Sequence, residues 1–158
     1  MPIMVGGVIE KNGKFLLVQQ AKEKYKGKWN LPAGSLEPNE SVFAGAKREI
    51  LEETGCNVDL TGILQISNRV FDDKVFVGFI FSTRLLSEKI HFNSNEILNV
   101  NWFSYEELLN MKDDLRLYHW IINAIKAYKN NKIMDLHIIN MDSDVTNLNL
   151  DTTINTEI

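Results

Sequence analysis

Three glutamates, Glu49, Glu52 and Glu53, constrain this chain more than any other feature. They belong to the run Gly34–Cys56, GSLEPNESVFAGAKREILEETGC. On a helix advancing about 100° per residue they fall within an arc of roughly 100°. A like-charge i,i+4 pair such as Glu49 and Glu53 costs a helix about 0.2–0.5 kcal/mol. A divalent cation between them reverses that sign, since two unit charges about 4 Å apart interact by roughly 4 kcal/mol at an effective dielectric of 20. The cluster therefore points to a metal cradle. Charge alone leaves open the blander reading of an acidic, solvated helix face.

The surrounding residues define the helix. Ser41 is a good N-cap, and Gly55 supplies the left-handed stop, so the helix is predicted to end at about Thr54. Val42, Phe43, Ala46 and Ile50 share one side, with Ala44 and Leu51 roughly opposite. This distribution predicts a helix buried on two sides, with its acidic edge facing a cleft.

Upstream, residues 3–9 (IMVGGVI) and Phe15–Val18 read as strands joined by an Asn12-Gly13 turn. The lysine-rich stretch 22–28 reads as a solvated loop, Trp29–Pro32 as short and extended, and Gly34–Asn39 as a loop. Downstream, 58–67 and 75–84 are strand-like, with a turn at Asp72-Asp73. The apolar run VFVGFIF (75–81) predicts a strand buried on both faces. A further strand is expected over 97–103. Ser104 with Glu107 forms a capping box for a short helix at 104–111. A second helix is expected over 113–129. From residue 130 the composition turns to Asn, Asp and Thr, which reads as a disordered extension. The alternation at Leu136–Ile139 suggests an added strand. The division is therefore a domain over 1–129 and an extension over 130–158.

At 158 residues the chain suits one domain with a full core. Its hydrophobic content of 44% and charged content of 24% are those of a soluble globular protein. A net charge of −4 argues against a nucleic-acid polymer as partner. The single cysteine, Cys56, excludes an internal disulfide and reads as a small buried apolar residue. No apolar run approaches a membrane span, and no leader pattern opens the chain, so a cytoplasmic protein is expected.

The whole run from Gly34 to Cys56 resembles the signature of the Nudix (MutT-like) hydrolases. That signature is G, five residues, E, seven residues, REU, one residue, EE, one residue, GU, where U is a bulky aliphatic. Gly34, Glu40, Arg48, Glu49, Glu52, Glu53 and Gly55 meet its fixed positions and Ile50 its first U. Cys56 departs mildly at the last. Seven residues at about 7% frequency each would coincide roughly once in 10⁸ starts. Trp29–Ala33 (WNLPA) and Val100–Leu108 (VNWFSYEEL) extend the likeness over about residues 3–129.

The resemblance implies an α/β fold, an α/β/α sandwich with a mixed sheet between helices. It implies metal-dependent hydrolysis of a phosphoanhydride in a nucleoside diphosphate-X or related small diphosphate, with Mg²⁺ or Mn²⁺ as cofactor. By analogy Glu49, Glu52 and Glu53 are metal ligands, with the Ala33 carbonyl as a further one. Glu49 or Glu53 orients or deprotonates the attacking water, and Glu96 is a candidate base from a later loop. Arg48 holds a carboxylate, Glu40 orients the loop or Arg48, and Gly55 ends the helix. Trp29, Gly34, Arg69 and Phe71 are candidates for contacting substrate; Trp29, Arg69 and Phe71 each have a plain packing or surface alternative.

The family's markers for ADP-ribose and dinucleoside polyphosphate substrates, a proline or a tyrosine past the signature, are missing. The WNLPAG entry looks like members acting on nucleoside di- or triphosphates or thiamine-type diphosphates. The rival reading is a non-catalytic Nudix-fold metabolite sensor, and a third is an isomerase on the same fold. A homodimer is compatible with the resemblance.

Overall fold

The computed structural model describes residues 2–71 and 73–140, with Phe71 placed by its backbone alone. The expected character of 141–158 therefore lies outside the described residues. In chain order the elements are β1 (Ile3–Val8), β2 (Glu10–Lys11), β3 (Lys14–Gln20), β4 (Trp29–Asn30), β5 (Ala33–Ser35), α1 (Val42–Thr54), β6 (Cys56–Phe71), β7 (Lys74–Glu88), β8 (Ile97–Ser104), α2 (Tyr105–Leu109) and α3 (Tyr118–Lys129), with one-turn 3₁₀ helices at Glu23–Tyr25 and Leu136–Ile138.

Two four-stranded sheets form the centre. The first runs β5-β1-β7-β6 and is mixed: β1 pairs parallel with β7, and the outer pairs are antiparallel. In the second, β3 pairs β2 and β4 along one side and β8 along the other. Strand alternation assigns the layers, because successive side chains point to opposite faces. Val5, Ile63 and Phe81 pack with Phe43 and Ala46 of α1. Val8, Leu64 and Ile80 pack with Ile121, Ile122 and Ile125 of α3. Leu16 joins Ile50 of α1, whereas Phe15 and Leu17 join α3. The strands are thus sandwiched between α1 and α3, the expected α/β/α arrangement.

Several expectations are corrected. Helix α1 buries one side only: Phe43, Gly45, Ala46, Ile50 and Thr54 are inside, while Leu51 is 45% exposed. Helix α3 begins at Tyr118 rather than 113. Residues 114–116 are taken by β4 instead, with Trp29 N–H donating to Asp114 and Arg116 N–H donating to Trp29. Part of the expected loop after Pro32 is β5, made a strand by pairing with β1. The run 75–81 is not buried throughout, since Val75 is exposed near the β6–β7 turn. Leu136–Ile139 adds no strand; its first three residues form the second 3₁₀ turn. The extension is nonetheless held to the domain, because Met134 exchanges two backbone hydrogen bonds with Ile63 of β6. Leu136 and Ile139 then pack against the α1-side core.

Candidate active site

Helix α1 is fixed at both ends as its sequence demands. The Ser41 side chain accepts from Ala44 N–H, and Gly55 takes φ of 76°. A β-carbon at Gly55 would also overlap the Lys89 carbonyl. These stops set the rotation of the helix and hence the direction of its acids.

Arg48 organises the acidic edge. Its Nε donates to Glu40 Oε2 at 3.0 Å and its Nη2 to Glu40 Oε1 at 2.6 Å, a bidentate fork. Nη1 donates to Glu49 at 2.9 Å and to Glu52 at 3.1 Å. Nη2 also donates to the Ser35 carbonyl at 3.0 Å, tying the helix to β5. Glu40 Oε1 accepts from Glu37 N–H as well, which closes the turn before the helix. The Arg48 hydrogen bonds, foremost among the causes, hold the Glu40 carboxyl below its usual range.

Gly34 lies directly against Glu49, and a β-carbon there would overlap the Glu49 carboxylate. Gly34 thus lets the Glu49 carboxylate approach the strand closely, and a side chain there would displace that carboxylate. Gly45 serves the same purpose behind Glu40, whose Oε1 would sit 2.8 Å from an added β-carbon.

Glu53 differs from its neighbours. Its carboxylate accepts from Ala33 N–H at 2.9 Å. Burial pushes its pKa up to about 8. The Ala33 hydrogen bond opposes this shift, and the negative charges of Glu49 and Glu96 reinforce it. Burial likewise raises Glu49, against the pull of Arg48. Glu52 is the outermost, with a side chain 56% exposed. Glu96 lies near enough to act on Glu53 electrostatically, and Lys22 Nζ stands 3.8 Å from its Oε1.

Among the described residues no three acidic, histidine or cysteine side chains are gathered tightly enough to hold an ion alone. As they stand, Glu49 and Glu52 share Arg48 as their counter-charge. Glu49 and Glu53 still oppose one another, and their oxygen donors are the hard kind that Mg²⁺ prefers. The donor chemistry fits Mg²⁺ if water and substrate oxygens complete the shell, as that ion ordinarily requires.

The other candidates scatter. Trp29 packs edge-on against Phe103 at 4.9 Å between ring centres, within the α3-side core. Arg69 lines a cavity of about 210 Å³ between the Glu23–Tyr25 turn, β6, β7 and the start of α3. The Phe71 side chain lies outside the described residues. Cys56 is fully buried, and burial pushes its thiol up. None of the acids lines the cavity, but the segment 29–35 joins the two places: Asn30 opens into the cavity while Ala33, Gly34 and Ser35 touch Glu53, Glu49 and Arg48. The cavity residues Tyr25, Asn30 and Arg116 escape a reading of the sequence. Asn30 had one signal, its place inside WNLPA; Arg116 had none.

Comparison with known proteins agrees with this geometry. The model of the NUDIX domain family matches residues 2–123. Phosphatase NudJ of Escherichia coli K12 is 30% identical over 144 residues, covering 87% of this chain and 89% of its own. Nudix hydrolase 5 of Arabidopsis thaliana is 31% identical over 108 residues, 65% of this chain, but the match spans only 36% of that relative's length. A solved NUDIX hydrolase from Nitrosomonas europaea superposes with a TM-score of 0.81 at 28% identity, covering 89% of this chain and 97% of that one. Among the described residues no helix is long and apolar enough to cross a membrane. With the signature met at every fixed position, its arginine and acids gathered beside β5, and the family model spanning most of the chain, this protein belongs to the Nudix family.

Proposed function

We propose that this chain hydrolyses a phosphoanhydride in a small diphosphate-bearing substrate, a nucleoside diphosphate-X or a related compound. Glu49, Glu52 and Glu53, with the Ala33 carbonyl, would hold Mg²⁺ or Mn²⁺ there. The observation that carries this reading is the packing of Gly34 against the Glu49 carboxylate beneath the Arg48 fork. An acidic patch that merely faced water would need neither a bare α-carbon nor an arginine tying three glutamates to a strand.

A bound divalent ion supplies charge neutralisation at the phosphate oxygens and a lowered pKa for a bound water. The chain's own residues do the rest. Arg48, anchored by Glu40, sets the position of Glu49 and Glu52. Glu49 is engaged by Arg48, and Glu53 is the acid assigned to take the proton of the attacking water. The Ala33 N–H orients it for that task. A bound cation would favour its carboxylate form, the one that accepts a proton. Glu96, 51% exposed and beside Lys22, biases the charge of Glu53 rather than replacing it.

The test is a panel of nucleoside diphosphate derivatives incubated with Mg²⁺ and, separately, with EDTA, with products separated by chromatography. Metal-dependent release of a nucleoside monophosphate or phosphate is expected. Tight binding of panel members with no product in either condition would instead make the protein a sensor.

A further inference from the structure

Positive charge gathers around the cavity beside the acids. Arg69 of β6, Arg116 before α3 and Lys24 of the Glu23–Tyr25 turn line it, and no acidic residue does. Arg69 is exposed and Arg116 half-buried. Among the described residues neither arginine forms an ion pair with a carboxylate. In a chain of net charge −4, this hollow is a local reversal of sign.

Two of these cations lie against the Tyr25 ring. The Arg116 guanidinium is 3.8 Å from its centre and the Lys24 ammonium 5.2 Å. Burial raises the Tyr25 hydroxyl, but hydrogen bonds and charge from Lys24 and Arg116 outweigh it and hold the pKa below the usual tyrosine value. The surroundings thus favour the anionic form of a group in the cavity wall. The start of α3 borders the same space, with neither a side-chain cap nor an acid in its first turn to offset its positive end. Phe76 and Trp120 add apolar wall. The volume of about 210 Å³ suits one ring with its substituent.

The segment 30–33 limits how far the cavity stands from the acids. Asn30 lines the cavity, and Ala33 N–H donates to Glu53. Three residues of chain span at most about 10 Å. A substrate whose diphosphate lies at the acids can therefore place its next group here. We propose that this cavity binds a ring bearing its own oxyanion, a carboxylate or phosphate separate from the scissile diphosphate. Arg69 and Arg116 attract the oxyanion, and Phe76 and Trp120 flank the ring. The acids repel that same anion, so the two places together orient the ligand. Selection of diphosphates with a charged far end rests on the hydrolase reading; the cavity's preference for an anion does not.

Metal-free binding in EDTA reads the cavity, because the acid cluster then repels phosphate. Adenosine monophosphate and adenosine differ only by the phosphate, and titration calorimetry should show the former binding about tenfold or more tightly. Arg69→Gln, at an exposed position, and Arg116→Gln should each cut that ratio to about threefold or less. Lys28→Gln, at an exposed lysine outside the cavity, should leave it unchanged. Equal affinities, a ratio unchanged in Arg69→Gln, or an equal loss in Lys28→Gln would overturn the site. With Mg²⁺, uridine diphosphate glucuronate should surpass uridine diphosphate glucose about tenfold, as substrate or as competitor of a cleaved panel compound, since one carboxylate separates them. Parity between them would overturn the selectivity. Should the binding preference hold while no panel compound is cleaved, the site stands and the hydrolase reading falls.

Discussion

The guanidinium of Arg48 grips Glu40 through two hydrogen bonds, at 3.0 and 2.6 Å, while its remaining nitrogen reaches Glu49 and Glu52. One side chain therefore fixes the loop before α1 and the acids upon it. Lysine offers a point charge and cannot reproduce a fork. Arg48→Lys is expected to lower kcat by about 10–100-fold while KM changes little, because it misplaces acids that act on the reacting centre. Urea denaturation should show a loss of about 1–3 kcal/mol, as for other charge-assisted hydrogen bonds. An unchanged kcat would detach the fork from the chemistry.

Gly34→Ala places a methyl group where the Glu49 carboxylate now lies. The backbone of β5 is held to β1 on one side, so the carboxylate is what moves. Turnover is expected to fall by about 100-fold, since sub-ångström placement of reacting groups governs rate. Circular dichroism should show the fold retained. A fully active alanine variant would mean that Glu49 does not act from this position.

Gly55→Ala tests the stop of α1 rather than its chemistry. Gly55 has φ of 76°, and a β-carbon there meets the Lys89 carbonyl. The left-handed conformation alone costs a non-glycine residue about 1–2 kcal/mol, and the overlap adds to it. Denaturation should report a loss beyond about 2 kcal/mol. A loss of a few tenths would mean the helix end relaxes freely.

The pH dependence of the metal-free protein follows from Glu53. Its carboxyl has a pKa of about 8 in the fold against about 4.3 in an unfolded chain. Between those values the folded state holds a proton that the unfolded state has lost. That contribution is complete below the lower value and disappears as pH rises through the upper one. Glu49, also raised by burial, acts with the same sign. In EDTA the Tm should therefore fall from about pH 5 to about pH 9, and Glu53→Gln should flatten the slope. A Tm that rises over this window would contradict the burial of an uncompensated acid.

What could be read from the sequence depended on whether the determining contacts were local. Helix α1 was legible because Ser41, Gly55 and the acid spacing all act within one segment, and the capping box at Ser104 and Glu107 was legible for the same reason. Strand β5 was not, since Ala33, Gly34 and Ser35 have little strand preference and become a strand only beside β1. The start of α3 was misplaced because β4 captures residues that would otherwise extend the helix. The acid cluster was visible as a pattern, but Arg48 as common counter-charge of Glu40, Glu49 and Glu52 emerges only in three dimensions. The cavity was invisible because Tyr25, Asn30, Arg116 and Trp120 come from separate stretches of the chain.

The most direct test is the Mg²⁺-dependent turnover of Glu53→Gln on whichever panel compound the native protein cleaves. The variant keeps the volume and the Ala33 hydrogen bond but can neither bind a cation strongly nor take a proton. A fall in kcat of about 100-fold or more, at nearly constant KM, is the predicted result. Turnover within about threefold of the native protein would contradict the account, because the acid on which its proton transfer depends would then be dispensable.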